Sequence, residues 1–70
     1  MGVGKNIEKI RRERGFTRKE LAERSGISDD YLQKIEAETI NRVHLKTLVR
    51  IASVLDTGID ELKKNFDEIS

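Results

Sequence analysis

The sequence contains no cysteine and no proline. Without cysteine there are no disulfides, no thiolate metal sites and no thiol nucleophile, and a reducing compartment is compatible with that absence. There is no β-branched alternation of useful length, so period-two strands are set aside. The apolar residues recur at spacings of three and four instead. His44 is the only histidine and has no Cys or His partner, so it reads as an exposed helix-start residue and no metal is expected. No apolar run approaches membrane-spanning length, and the opening Met1-Gly2-Val3-Gly4-Lys5 lacks the apolar stretch of a secretion signal. A cytoplasmic location and no membrane partner are the expectation. The 70 residues make one domain, 1–70, with a core near the lower limit for independent folding and no room for a catalytic cleft. There is no paired nucleophile and base, metal-ligand cluster or phosphate-cradling glycine loop. No enzymatic activity and no cofactor are expected.

Charge is plentiful but nearly balanced: 39% of the residues are charged and the net charge is +1. The distribution says more than the sum. Lys5, Lys9, Arg11, Arg12, Arg14, Arg18, Lys19 and Arg24 outnumber the acids of the first third. Arg42, Lys46 and Arg50 form a second basic stretch without local acids. Both stretches are suited to face phosphate, although any single charge can equally belong to a solvated helix face. Arg11, Arg12 and Arg14 are read in that second way. Between the basic stretches lie Asp29, Asp30, Glu36 and Glu38 against Lys34 alone, and the tail from Asp56 onward is acidic.

The periodicity predicts an all-α chain. Ile7 and Ile10 mark a first helix running to about Arg14, extendable back to Val3, with Gly15 as its left-handed stop. Thr17 with Glu20 is a capping box flanked by Phe16 and Leu21 at hydrophobic-staple spacing, and the second helix it opens stops at Gly26. Ser28 caps a third helix, with Ile27 and Leu32 repeating the staple. Asp29 and Asp30 stand in its first turn, where the helix dipole favours negative charge. Leu32 and Ile35 face inward there. After a polar loop through Glu38, Thr39, Asn41 and Arg42, residues Leu45, Leu48, Ile51, Ala52 and Leu55 define a fourth helix. Ile59, Leu62 and Phe66 define a short fifth.

Two helices joined by a short glycine-containing turn make a helix-turn-helix, here spanning about residues 17–37. Ala22 permits close packing, Gly26 can take the positive φ of the turn, and Leu32 and Ile35 anchor the third helix from beneath. The segments "IEKIRRERGFT", "KELAERSGIS", "YLQKIEA", "LKTLVRIASVL" and "IDEL" together resemble the Cro/repressor-type, or lambda-repressor-like, helix-turn-helix family over nearly the whole chain. The resemblance implies a compact five-helix fold around one core and binding of double-stranded DNA by a transcriptional regulator of repressor type. It places helix three in the major groove, with Ser28, Asp29, Asp30 and Gln33 at base-reading positions, and brings Arg18 and the loop from Thr39 to Arg42 toward phosphate. Lys19, Tyr31, Lys34, Asn41 and Arg42 complete the candidate phosphate set with Arg18. Members often carry Gln where Arg18 stands, and a Gly followed by Lys or Arg where Glu38, Thr39 and Ile40 stand.

Taken alone, each of these residues has a plainer reading. Gln33 suits a two-pronged contact to adenine or an ordinary solvated position, and Tyr31 can reach a phosphate or cover the core edge. One Asp can accept from cytosine N4, whereas two adjacent acids lower non-specific affinity for DNA. An alternative function therefore stands beside the first: a protein-interaction module on the same fold, using its acidic third helix and tail on a basic protein partner. A homodimer is the expected assembly for tight operator binding. Ile59, Leu62, Phe66 and Ile69 are its candidate seam, although packing on their own domain explains them more simply.

Overall fold

In the computed structural model, which describes residues 2–40 and 42–62, five helices follow in chain order: α1 (Val3–Glu13), α2 (Arg18–Ser25), α3 (Asp29–Glu36), α4 (Leu45–Leu55) and α5 (Ile59–Leu62). The expected all-α, five-helix, lambda-repressor-like fold is present, and α1 does extend to Val3. Asn41 and the candidate seam residues Phe66 and Ile69 lie outside the described residues.

Each helix buries the stripe its spacing set aside. Ile7 of α1, Leu21 and Ala22 of α2, Leu32 and Ile35 of α3, Leu48, Ile51, Ala52 and Leu55 of α4, and Leu62 of α5 form one core. Helix α2 packs on α3 and α4, while α1 packs on α3, α4 and α5, so α3 rests on α1 and α2. Leu62 is fully buried in this core, which removes it from the proposed dimer seam and supports the plainer of its two readings. Leu45 departs from expectation: it is 62% exposed, because it starts α4 one turn before the helix reaches the core, and Val49 beside it is 52% exposed.

The helix ends explain how so short a chain makes four sharp turns. At the ends of α1, α2, α3 and α4 the same pair of bonds recurs, closing each helix with a left-handed residue. Gly15 and Gly26 supply two of these residues, at φ 80 and φ 75. Glu38 and Asp56 supply the other two at φ 59 and φ 55, a conformation that side chains other than glycine adopt at a steric cost. Glu38 thus occupies the backbone position that glycine fills in the resembled family. Its carboxylate turns back to the start of α1, where Oε2 accepts a hydrogen bond from the Lys5 backbone N–H at 3.1 Å. Gly2, the N-cap of α1, has no side chain to cap the helix, and α1 has no acid in its first turn. A residue from just beyond the end of α3 therefore caps it.

The α1–α3 contact is closest at Gly4, where an added Cβ would stand 2.1 Å from the Ile35 carbonyl oxygen. Two turns further along α1, Arg11 and Glu36 of α3 are both buried and joined by two hydrogen bonds, Nε to Oε2 at 2.7 Å and Nη2 to Oε1 at 3.1 Å. A third donor of Arg11 reaches the Phe16 carbonyl at 3.0 Å. Arg11 is therefore no solvating charge. Its long side chain lies across α3, and the fixed fork of the guanidinium satisfies a buried carboxylate.

Candidate nucleic-acid interface

The helix-turn-helix is assembled by two hydroxyl caps. Thr17 Oγ1 accepts from the Glu20 N–H at 3.1 Å while the Glu20 carboxylate accepts from the Thr17 N–H at 2.9 Å, which is the capping box expected at the head of α2. Those bonds hold the Glu20 carboxyl below the usual carboxylate range, the backbone N–H of Thr17 contributing most. After the left-handed Gly26, Ser28 Oγ accepts from the Tyr31 N–H at 3.0 Å and opens α3. Leu32 and Ile35 are 0% and 2% exposed, which fixes the roll of α3 about its axis. The opposite face turns outward with Asp29, Asp30, Gln33 and Lys34, all exposed.

The predicted base-reading set is therefore gathered on one surface: Ser28 at the cap, Asp29 and Gln33 one turn apart in one row, and Asp30 beside them. The Ser28 hydroxyl oxygen is already an acceptor in the cap, which leaves its proton for an outside acceptor. Tyr31 is half-buried and packs against the core, so its ring covers the core edge.

The predicted phosphate set divides. Arg18, the first residue of α2, donates from Nε to Oδ1 of Asp29, the first residue of α3, at 2.9 Å. Both side chains remain substantially exposed, at 39% and 47%. The hydrogen bond from Arg18 holds the Asp29 carboxyl below the ordinary carboxylate range, and the Arg18 guanidinium is correspondingly raised. Lys34 pairs with Asp30 one turn back, at 3.3 Å. Each acid on the outer face is thus answered by a cation of the candidate set. Lys19 and Arg42 are exposed and take part in no ion pair among the described residues.

The basic first third is mostly engaged within the fold. Besides Arg11 and Arg18, Arg12 pairs with Glu8 at 3.0 Å and Arg24 lies over the Phe16 ring at 5.3 Å. Arg14 donates to the Leu55 carbonyl at 2.9 Å, closing the C-terminus of α4. The second basic stretch is different. Arg42, Lys46 and Arg50 are exposed and make no ion pair among the described residues. The Arg50 guanidinium also reaches the α2–α3 turn, 3.7 Å from where a Cβ on Gly26 would stand. Arg50 thus borders the helix-turn-helix, with Lys46 one turn before it on α4, and neither was among the expected phosphate contacts. The signal was in the sequence, as three cations without a neighbouring acid.

A family model described as helix-turn-helix matches residues 7–62. The chain belongs to the Cro/repressor-type helix-turn-helix family. The transcriptional regulator SinR of Bacillus licheniformis is 32% identical over 66 residues, 94% of this chain and 60% of that protein. An immunity repressor of Bacillus phage phi105 is 42% identical over 62 residues, 89% of this chain and 42% of the repressor. The chain thus spans roughly half the length of these regulators. Among solved structures, SinR in complex with DNA superposes with a TM-score of 0.82 at 32% identity, covering 86% of this chain and 95% of that one. The SinR/SinI complex gives 0.87 at 29% identity, covering 97% of this chain and 66% of that one. Among the described residues no helix is long and apolar enough to cross a membrane.

Proposed function

We propose that the chain is the sequence-specific, double-stranded-DNA-binding part of a transcriptional regulator, with α3 in the major groove. The observation that carries this reading is the outer face of α3. It is a polar, solvent-exposed row held at a fixed roll by Leu32 and Ile35, with the exposed cation Arg50 at the turn that leads into it, in a fold that matches SinR bound to DNA. Asp29, Asp30 and Gln33, with Ser28, read base edges; Arg18, Lys19, Lys34, Asn41 and Arg42 position the domain on phosphates, with the Tyr31 hydroxyl at the margin. Binding without catalysis and a cytoplasmic setting belong to the same proposal. The first is supported by a sequence with no paired nucleophile and base, and the second by the transcriptional role of the relatives. Two copies on half-sites about one helical turn, roughly 34 Å, apart would supply the contacts a single small domain lacks.

A second reading, in which the fold serves a basic protein partner, is favoured by one observation. The Asp30 side chain is 74% exposed at the head of α3, where an acid repels phosphate. The likeness to the SinR/SinI complex bears on this reading as well.

Fluorescence anisotropy of duplex DNA over a range of salt separates the two. The DNA reading expects affinity to fall steeply with salt. Arg42→Ala should weaken binding to every duplex and flatten the salt slope by about one unit, and Gln33→Ala should erode the preference among sequences. Equal effects of the two variants on every duplex would overturn this division of labour. Absence of binding at the high micromolar concentrations where non-specific complexes form, with Kd about 10⁻⁴ M, would favour the protein partner.

A further inference from the structure

We infer that Asp29 and Arg18 form a composite reader of a cytosine–guanine base pair, in which Arg18 is the positioning residue and the Asp29 carboxylate is the acceptor. The inference rests on the DNA-binding reading and goes beyond it by naming the base. An acid at the head of the recognition helix repels phosphate unless a base donor or a cation answers it. Here a cation does so without covering the acid. Arg18 uses only its Nε on Oδ1, and Oδ2 of Asp29 takes no hydrogen bond among the described residues. The terminal amino groups of Arg18 likewise donate to nothing among the described residues.

The pair therefore faces outward with one acceptor beside a fork of donors. Of the groups exposed in the major groove, the amino group on cytosine N4 is the pyrimidine donor a carboxylate can accept from, whereas thymine presents an acceptor and a methyl group. The donors left on Arg18 stay free for the neighbouring phosphate, so one guanidinium holds the carboxylate and positions the domain. Lys34 with Asp30 is a looser arrangement. Its separation is 3.3 Å, the two side chains are 55% and 74% exposed, and a lysine ammonium has no fork to orient the acid. Gln33 stands one turn from Asp29 on the same row, about 5–6 Å between Cβ atoms. With base pairs stacked every 3.4 Å or so, the cytosine lies one or two base pairs from the base contacted by Gln33.

The test is selection from a random duplex library by the wild-type chain, Asp29→Asn and Arg18→Lys, followed by titration of the selected duplex and of one with that cytosine–guanine pair changed to thymine–adenine. The wild type is expected to enrich cytosine at one position within two base pairs of the position that Gln33→Ala relaxes. The base change should cost it about tenfold in affinity. Asp29→Asn should discriminate less than twofold there. Arg18→Lys, which keeps the charge and loses the fork, should also lose most of the discrimination while its salt slope stays that of the wild type. Melting midpoints of both variants should stay within about 3 °C of the wild type, since both side chains are exposed. No cytosine enrichment, or full discrimination in Asp29→Asn, would overturn the assignment. Full discrimination in Arg18→Lys would leave Arg18 a phosphate contact only and break the composite. If the wild type binds no duplex in a salt-sensitive way, the DNA reading itself fails, an outcome distinct from specific binding that ignores cytosine.

Discussion

Helix α3 is tied at both ends by an arginine and a carboxylate, and the two ties sit in opposite surroundings. At its last turn Glu36 meets Arg11 of α1 with side chains only 7% and 10% exposed; at its first turn Asp29 meets Arg18 of α2 with side chains 47% and 39% exposed. The chemistry is the same and solvent separates the roles. Buried, each charge needs the other, because neither can recover its hydration without unfolding the contact between α1 and α3. Exposed, each can exchange its partner for water or for a nucleic acid at little cost. The domain therefore keeps a permanent clamp at the end of α3 that points into the protein and an exchangeable one at the end that opens onto solvent.

The comparison is broken most directly at the buried pair. Glu36→Gln leaves Arg11 without its counter-charge and should lower stability by about 3–5 kcal/mol in denaturant titrations, comparable to the whole stability of a small domain. Arg11→Met combined with Glu36→Leu should recover most of that loss, since it removes both charges together. Gly4→Ala comes next. The added methyl would drive into the Ile35 carbonyl and part α1 from α3 two turns along α1 from the clamp, and an overpacking cost of about 1–3 kcal/mol is expected in thermal melts.

At the exposed pair, Arg18→Ala should lower the melting midpoint by no more than about 3 °C, and added salt should shrink the difference. The same pair sets a pH dependence. The Asp29 carboxyl lies below its ordinary range in the folded chain because Arg18 donates to it, and Glu20 does so because the Thr17 N–H donates to it. A carboxyl whose folded value is depressed contributes stability in full above its unfolded value and loses it as pH falls through the folded one. Melting midpoints should therefore hold between about pH 5 and 8 on account of these groups and decline below about pH 4, with the decline reduced in Arg18→Ala. Smallest of all is Lys34→Ala, whose exposed pair with Asp30 should move the midpoint by less than about 2 °C.

Much of this architecture was legible in the sequence because local chemistry determines it. The capping box of Thr17 and Glu20, the Ser28 cap, the two left-handed glycines and the buried faces of α2 and α3 follow from residues within one turn of one another. Three features were not legible, each for want of long-range information. Arg11 looks like any charged residue on the face of α1, since its partner is 25 positions away. Glu38 reads as an acid near DNA, whereas its carboxylate caps α1 from 33 positions along the chain. Leu45 fits the apolar spacing of α4, but its helix begins before reaching the core, so the spacing overstates the buried stripe by one turn. The candidate interface was legible as a set of residues on one face. Its internal pairing, Arg18 with Asp29 and Lys34 with Asp30, required the distance between two helices in one case and the rotamers of one helix in the other.

The central claim, that the outer face of α3 and the second basic stretch bind double-stranded DNA, is tested most directly by amide NMR of the labelled chain titrated with a mixed-sequence duplex at low salt and again with added salt. Salt-sensitive shifts clustered at Arg18, Lys19, Asp29 to Lys34 and Arg42 to Arg50, with the amides around Arg11 and Glu36 unmoved, are the predicted result. Unchanged spectra at high micromolar DNA, or shifts spread evenly over α1 and α5, would contradict it.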